Sequence, residues 1–287
     1  MKILILGSTG TVGQVLFERL KEESSWKILG TTTSNSPSEE RIEFLWPKLD
    51  IEKLMKEIRP DVVINCAAKL NSPKLQNDDT LKKETFDLNA LLPAALNELD
   101  GHVRIIHIST DAVFSGERPP YDEDSLTDGK SYYGKTKIVG ESNLNNALIL
   151  RTSILGKSRY REISIPNLIR SATKEGKLLV PVNEFWNGVT AHAFSEFVQS
   201  LIRKDGTDFA KGIRHIVPED VVSKFELFCM VANKVSKTQK IITGIEVEMP
   251  KSVILSSKHS DFNEEIWDFS IFKKAPSISE MIKLASL

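Results

Sequence analysis

The sequence predicts an α/β fold, a doubly wound parallel sheet that carries a smaller, mixed α/β lobe. Two observations predict it. Short runs rich in Ile, Leu and Val alternate with amphipathic segments of helical period through the first half of the chain. The apolar runs are also nearly continuous, as in strands covered on both faces. Strands are expected at Lys2–Leu6, Trp26–Gly30, Val62–Asn65, Arg104–Ile108 and Leu148–Arg151, and helices at Val12–Glu22, Ile51–Ile58, Thr85–Leu99 and Lys135–Asn145. Asp50 stands where it would cap the second helix. After Arg151 the alternation loosens, and the segments around Pro166–Gly176 and Val222–Leu287 read as the mixed lobe. No internal repeat or low-complexity linker separates the parts, so the lobes are expected to pack closely.

Composition narrows the class. The 287 residues include 38 basic and 39 acidic side chains, a net charge of −1. That balance creates no field to gather nucleic acid or an anionic membrane, so an anionic ligand needs a local site. No apolar run approaches the roughly 20 residues that cross a bilayer. A cytoplasmic protein with no membrane or nucleic-acid partner is expected. The cysteines, Cys66 and Cys229, lack the spacing of a disulfide framework or a zinc site, and no metal is expected. His107 lies inside a strand-like run and reads as a hydrogen-bonded structural histidine.

The first strand runs directly into Gly7-Ser-Thr-Gly10-Thr-Val-Gly13, and a helix pattern follows at once. Glycines at this spacing permit a tight turn and close approach of the backbone to a pyrophosphate, while the free amides at the helix start face the anion. Gly7, Thr9, Gly10, Thr11, Val12 and Gly13 are therefore candidate cofactor-binding residues. The GxxGxxG spacing resembles the extended short-chain dehydrogenases. An acidic residue ending the second strand would select NAD. Here Gly30-Thr-Thr-Thr-Ser34 offers hydroxyls without a carboxylate, so Thr31 and Ser34 join the cofactor site, Ser34 or Arg41 would bond a 2′-phosphate, and NADPH is expected over NADH.

The chemistry is expected at Ser109-Thr-Asp-Ala-Val-Phe-Ser-Gly116 and Tyr132-Tyr-Gly-Lys-Thr-Lys137. A tyrosine four residues before a lysine at a helix start puts both side chains on one face. A nearby ammonium favours the phenolate and readies the hydroxyl to give a proton to a developing alkoxide. That spacing selects Tyr133 with Lys137, because Tyr132 has Thr136 at the corresponding place. In such an enzyme Thr110 would bond the carbonyl oxygen beside Tyr133, and Lys137 would also hold the nicotinamide ribose.

Pro60-Asp-Val-Val-Ile-Asn-Cys-Ala-Ala68, Ser109-Thr-Asp111 with Val113-Phe114, Tyr133-Gly-Lys-Thr-Lys137 with Gly140-Glu141, and Leu150-Arg-Thr-Ser153 resemble the dTDP-4-dehydrorhamnose reductase family and its sugar-nucleotide relatives. Gly212-Ile-Arg-His-Ile-Val-Pro218 and Ser223-Lys-Phe-Glu-Leu227 are similar to that family's substrate-domain segments, and beyond about residue 230 the resemblance thins. It implies NADPH-dependent reduction of the C4 ketone of a nucleotide-linked 4-keto-6-deoxysugar, with Tyr133 as proton donor, in deoxysugar and surface polysaccharide synthesis. It places Asp50 and Ile51 at the adenine, Cys66, Ala67 and Ala68 along the cofactor, and Asp111, Ala112, Val113, Phe114, Ile154, Trp186, Asn187 and Thr190 at the sugar pocket. It also suggests a nucleotide-binding domain of residues 1–155 with 188–216, a substrate lobe of 156–187 with 217–287, and a homodimer.

The chain departs from the family at informative places. Ala112 stands where the family has tyrosine and Ile154 where it has tryptophan, which points to a different sugar. Lys69-Leu-Asn-Ser-Pro-Lys74 replaces an acidic loop, and Lys251 stands near an expected arginine. Trp186-Asn-Gly-Val-Thr190 reads either as a sugar-facing loop or as a plain turn with a buried tryptophan. Two rival functions remain open: an epimerase-reductase, disfavoured because no cysteine lies near Ser109–Gly116, and a non-catalytic NADP-binding regulatory subunit.

Overall fold

The computed structural model describes residues 1–33, 38–48, 50–99, 102–157, 164–235 and 241–287. The chain opens with β1 (Lys2–Leu6), α1 (Thr11–Lys21), β2 (Lys27–Thr32), β3 (Arg41–Glu43), α2 (Ile51–Ile58), β4 (Val62–Asn65), α3 (Asp79–Phe86) and α4 (Leu92–Asn97). It continues with β5 (Arg104–Ile108), α5 (Tyr132–Ser142), β6 (Leu148–Arg151), β7 (Ile154–Leu155), α6 (Ile165–Glu175), β8 (Leu178–Pro181), β9 (Phe185–Trp186) and β10 (Val189–Thr190). The remainder is α7 (Ala191–Asp205), β11 (Gly212–His215), β12 (Val222–Ser223), α8 (Lys224–Val235), β13 (Ile242–Ile245), α9 (Ser260–Phe269) and α10 (Ile278–Leu284).

Seven strands form one parallel sheet in the order β11-β6-β5-β4-β1-β2-β3. Alternation along each strand divides its side chains between two cores. Ile3, Ile5, Val62, Ile64, Ile106, Leu148 and Leu150 face the layer containing Leu16 and Phe17 of α1 and Phe194, Phe197 and Leu201 of α7. Leu4, Leu6, Val63, Ile105 and Ile149 face the opposite layer, with Leu54 and Ile58 of α2 and Leu92 and Leu96 of α4. Both faces are covered, which is why the strands read as unbroken apolar runs. The predicted doubly wound sheet is therefore present.

The structure differs from the sequence reading at four places. Strand β2 extends two residues beyond its expected end, so Thr31 and Thr32 lie in the sheet, buried, instead of in a turn. The helix expected over Thr85–Leu99 begins earlier, at Asp79, and passes through a π-helical turn at Asp87–Leu91 before α4. Pro93 near the start of α4 supplies no amide to the turn before it, and a widened turn accommodates that loss. β3 has three residues, too few for a periodic signal. Finally, Gly212–His215, read by resemblance as a substrate-domain segment, pairs with β6 at the edge of the main sheet.

The smaller strands pair outside the main sheet. β8 pairs with β13, β9 with β12 and β7 with β10. Helix α6 packs on α8. No helix among the described residues is long and apolar enough to cross a membrane.

Candidate active site

The sheet order places β1 between β2 and β4, so the connections after β1 and β4 leave in opposite directions and open a crevice at the strand ends. Gly7 follows β1 with φ of 75°, and a Cβ there would lie 2.8 Å from Ala67 Cα. A Cβ on Gly13 would lie 2.2 Å from the Gly7 carbonyl oxygen. Only glycine permits this turn and this close packing. Helix α1 starts at Thr11 with Gly10 at its N-cap, without a side-chain cap and without an acidic residue in its first turn. Its amides are thus presented to an anion, and the cradle fits a dinucleotide pyrophosphate.

Other expected cofactor residues are largely committed within the fold. The Gly7 amide donates to Thr31 Oγ1 at 2.9 Å, so the Thr31 hydroxyl braces the loop. Asp50 caps α2, accepting from Glu52 N at 2.8 Å, and Ile51 is buried in the core beside Phe44. Ala67 N donates to Asn65 Oδ1 at 3.1 Å, and Cys66 N donates to Leu6 O at 3.0 Å. Burial pushes the Cys66 thiol up from its ordinary value, so it stays neutral; Ala68 is half-buried. Arg41 lies over the Phe17 ring at 4.3 Å and pairs with Glu18 at 3.3 Å. Ser34 lies outside the described residues.

Thr110 begins the short turn Asp111–Val113, where its Oγ1 accepts from Ala112 N at 3.2 Å and lies 3.2 Å from Asp111 Oδ1. Helix α5 is capped by Ser131, whose Oγ accepts from Gly134 N at 2.9 Å. The glycine at 134 explains how α5 reaches the Thr110 turn: a Cβ there would stand 2.3 Å from the Ala112 carbonyl oxygen. Tyr133, immediately before it, is 8% exposed at this contact. Lys137, one turn further, is 1% exposed, so it is a buried cation site and not a solvated helix charge.

Lys137 Nζ donates to Ile108 O at 2.8 Å and lies 3.1 Å from His107 Nε2. Burial lowers its pKa from 10.5 to about 8, with the Glu141 charge opposing the shift. His107 is fully buried, and burial with the Lys137 charge holds its pKa well below the ordinary value. The histidine read as structural is thus in contact with the expected catalytic lysine. Its signal in the sequence was a polar residue within an apolar strand, repeated by Asn65 in the neighbouring strand. The two are register partners.

Beneath this group Glu141 accepts from Arg151 Nε at 3.0 Å and Nη2 at 2.7 Å and from the Ser109 hydroxyl. Asn89, in the π-helical turn, donates to Thr136 Oγ1 at 3.1 Å and accepts from Lys69 N at 2.9 Å. These bonds fix α5 to the loop after β4.

The expected sugar-pocket residues divide. A cleft of about 270 Å³ is lined by Ser153, Ile154, Leu155, Gly156, Leu168 and Trp186, among others. Gly156 approaches Thr11, so the cleft adjoins the glycine loop. At its other end Trp186 Nε1 donates to Ser153 Oγ at 2.9 Å, and Ser153 hydrogen-bonds Asp111. Burial raises the Asp111 pKa against the bonds from Thr110 and Ser153. Ile154, Trp186 and Asp111 therefore belong to one connected surface, and Ser153, which the sequence reading did not single out, joins them.

Four others are structural by their contacts. Val113 and Phe114 are buried with Tyr121 and Leu255, and Phe114 stacks on Tyr121 at 4.4 Å, so those two side chains form core and not pocket wall. Asn187 clamps Leu255 through bonds of 2.7 and 3.0 Å, and Thr190 caps α7. Ala112 offers a carbonyl to α5 and no aromatic wall. No metal-ligating cluster occurs among the described residues.

Comparison with known proteins assigns this arrangement to a family. The family profile for the RmlD substrate binding domain matches residues 1–285. The chain belongs to that family. Among solved structures it is similar to dTDP-4-dehydrorhamnose reductase from Bacillus anthracis in complex with NADP, with TM-score 0.75, 21% identity, and coverage of 98% of this chain and 97% of that one. It also resembles the Clostridium acetobutylicum reductase orthologue, with TM-score 0.72, 24% identity and 99% coverage of both chains. Sequence relatives include methionine adenosyltransferase 2 subunit beta of Xenopus laevis, 28% identical over 243 residues, covering 81% of this chain and 71% of the relative. A probable dTDP-4,6-dihydroxy-2-methyloxan-3-one 4-ketoreductase of Streptomyces antibioticus is 35% identical over 164 residues, covering 54% and 52%.

Proposed function

We propose that this protein reduces the C4 ketone of a nucleotide-linked 4-keto-6-deoxysugar, with NADPH preferred over NADH. The observation that supports the reading is the packing of α5, which carries Tyr133 and Lys137, against the Thr110 turn through Gly134, with Lys137 Nζ bonded to Ile108 O at the end of β5. A bound nicotinamide supplies the hydride. Gly7 to Gly13 hold the pyrophosphate, Lys137 bonds the ribose, Thr110 bonds the carbonyl oxygen, and Tyr133 Oη gives that oxygen its proton. The preference for NADPH rests on the absence of a carboxylate at Thr31 to Thr33 and on Arg41 nearby. The sugar lies along the Ile154–Trp186 cleft. Without Tyr at 112 and Trp at 154 the pocket is less aromatic than the family pattern, which suits a sugar with different substituents. Residues 1–155 with 188–216 form the cofactor domain, and 156–187 with 217–287 the substrate lobe.

The relatives named as subunits of methionine adenosyltransferase favour a second reading, a cofactor-binding subunit of another enzyme. The two readings separate on Tyr133→Phe. The reductase keeps cofactor binding and loses at least a hundredfold in turnover; a binding subunit has no turnover to lose.

A further inference from the structure

The hydrogen-bond partners of His107 do not match a permanently charged Lys137. Asn65 Oδ1 accepts from Ala67 N at 3.1 Å, and a backbone amide can only donate, so the orientation of the Asn65 amide is set. Its Nδ2 group then faces His107 Nδ1 at 3.0 Å as a donor. With Nδ1 accepting, a neutral ring carries its proton on Nε2, which points at Lys137 Nζ 3.1 Å away. An ammonium there would oppose two donors. An amine resolves the conflict: its lone pair accepts from Nε2–H while one of its own protons goes to Ile108 O.

We propose that His107 is a positioning residue of this site, a ring whose tautomer is coupled to the charge of Lys137: Nε2–H toward the amine, Nδ1–H toward the ammonium. The second state carries a mismatch at Asn65, so each protonation of Lys137 costs one good hydrogen bond one strand away. The inference rests on the proposed function only where it concerns the cofactor.

The other groups around Lys137 do not remove this coupling. Tyr133 and Glu141 lie on its own helix, and Glu141 is neutralised by Arg151 from β6. Cys66, from the loop after β4, is kept a neutral thiol by burial. His107 is the ring that touches Nζ from β5, and it stays uncharged. A bound cofactor adds the ribose hydroxyl as an acceptor and the pyrophosphate charge, both of which favour the ammonium. Cofactor binding at alkaline pH should therefore draw one proton from the buffer onto Lys137 Nζ and switch the ring.

The test is nitrogen-15 NMR of the histidine rings in the full-length protein without cofactor, with His107 assigned by its loss in His107→Gln. The expected result is Nε2–H at pH 9.5 and a shift toward Nδ1–H by pH 6.5, with a midpoint near the Lys137 value of about 8. One unchanging tautomer, or an imidazolium, overturns the coupling. In His107→Gln an amide oxygen accepts from the ammonium, and the ammonium-to-amine ratio at pH 9 should rise at least tenfold; an unmoved Lys137 titration also overturns it. Calorimetry of NADP binding at pH 9 in two buffers of different ionisation enthalpy should show proton uptake in the wild type, reduced severalfold in His107→Gln. Binding without uptake overturns the cofactor-linked step. No binding at all overturns the proposed function instead, while the ring titration still decides the role of His107.

Discussion

Replacing Gly134 by alanine should separate stability from activity. The new methyl carbon would stand 2.3 Å from the Ala112 carbonyl oxygen and 3.1 Å from Ser131 Oγ, whereas ordinary contact begins near 3.4 Å. Helix α5 and the Thr110 turn must therefore part by about 1 Å. Overpacking of this kind costs about 1–3 kcal/mol, but alanine recovers about 1 kcal/mol of helix propensity over glycine. The net loss is about 0–2 kcal/mol, a fall of at most about 3 °C in melting temperature for a chain of this length. The same 1 Å displaces Tyr133 from Thr110, and misplacement on that scale costs on the order of a hundredfold in rate. The assay pairs calorimetric melting with NADPH oxidation on the cognate keto-sugar. A folded variant with undiminished turnover would refute the claim that the α5 contact aligns the site.

Gly13→Ala should fold yet bind NADP at least tenfold more weakly, read by quenching of tryptophan fluorescence, because its Cβ would meet the Gly7 carbonyl at 2.2 Å. Lys137→Met should melt higher than the wild type at pH 7. The depressed folded-state pKa, about 8 against an ordinary 10.5, means that the unfolded chain binds the extra proton between those values. Wild-type stability consequently rises with pH across that window, and the advantage of the variant, about 3 kcal/mol below it, should vanish by about pH 10.5. Arg151→Met strands the buried Glu141 carboxylate and should cost about 3–5 kcal/mol, roughly 5–8 °C; the double variant with Glu141→Gln should recover more than half of that in the same melting experiment.

The sheet was legible because its strands are buried on both faces: β1, β4, β5 and β6 and helix α2 have the bounds their apolar runs imply. Short elements were not legible. Arg41–Glu43 is only three residues long, and the two-residue strands β7, β9, β10 and β12 are held by register with neighbours more than thirty residues away, which leaves no local period to read. The π-helical turn was hidden because its cause, Pro93, sits within a pattern that otherwise continues a helix. At the site, spacing selected Tyr133 and Lys137, and the helix that carries them, α5, packs on the Thr110 turn through Gly134. What spacing did not supply was the environment of Lys137: its burial and its contact with His107 depend on two strands, β4 and β5, lying side by side. For the same reason Val113, Phe114 and Asn187 look like pocket residues in a motif, while their side chains are tied to Tyr121 and Leu255.

The central claim is tested most directly by measuring NADPH and NADH oxidation by the purified protein against freshly generated dTDP-, GDP-, UDP- and CDP-linked 4-keto-6-deoxysugars. Rapid oxidation with one of them, faster with NADPH and abolished in Tyr133→Phe, is the predicted result. Tight NADP binding with no oxidation across the panel would contradict it and favour the binding-subunit reading.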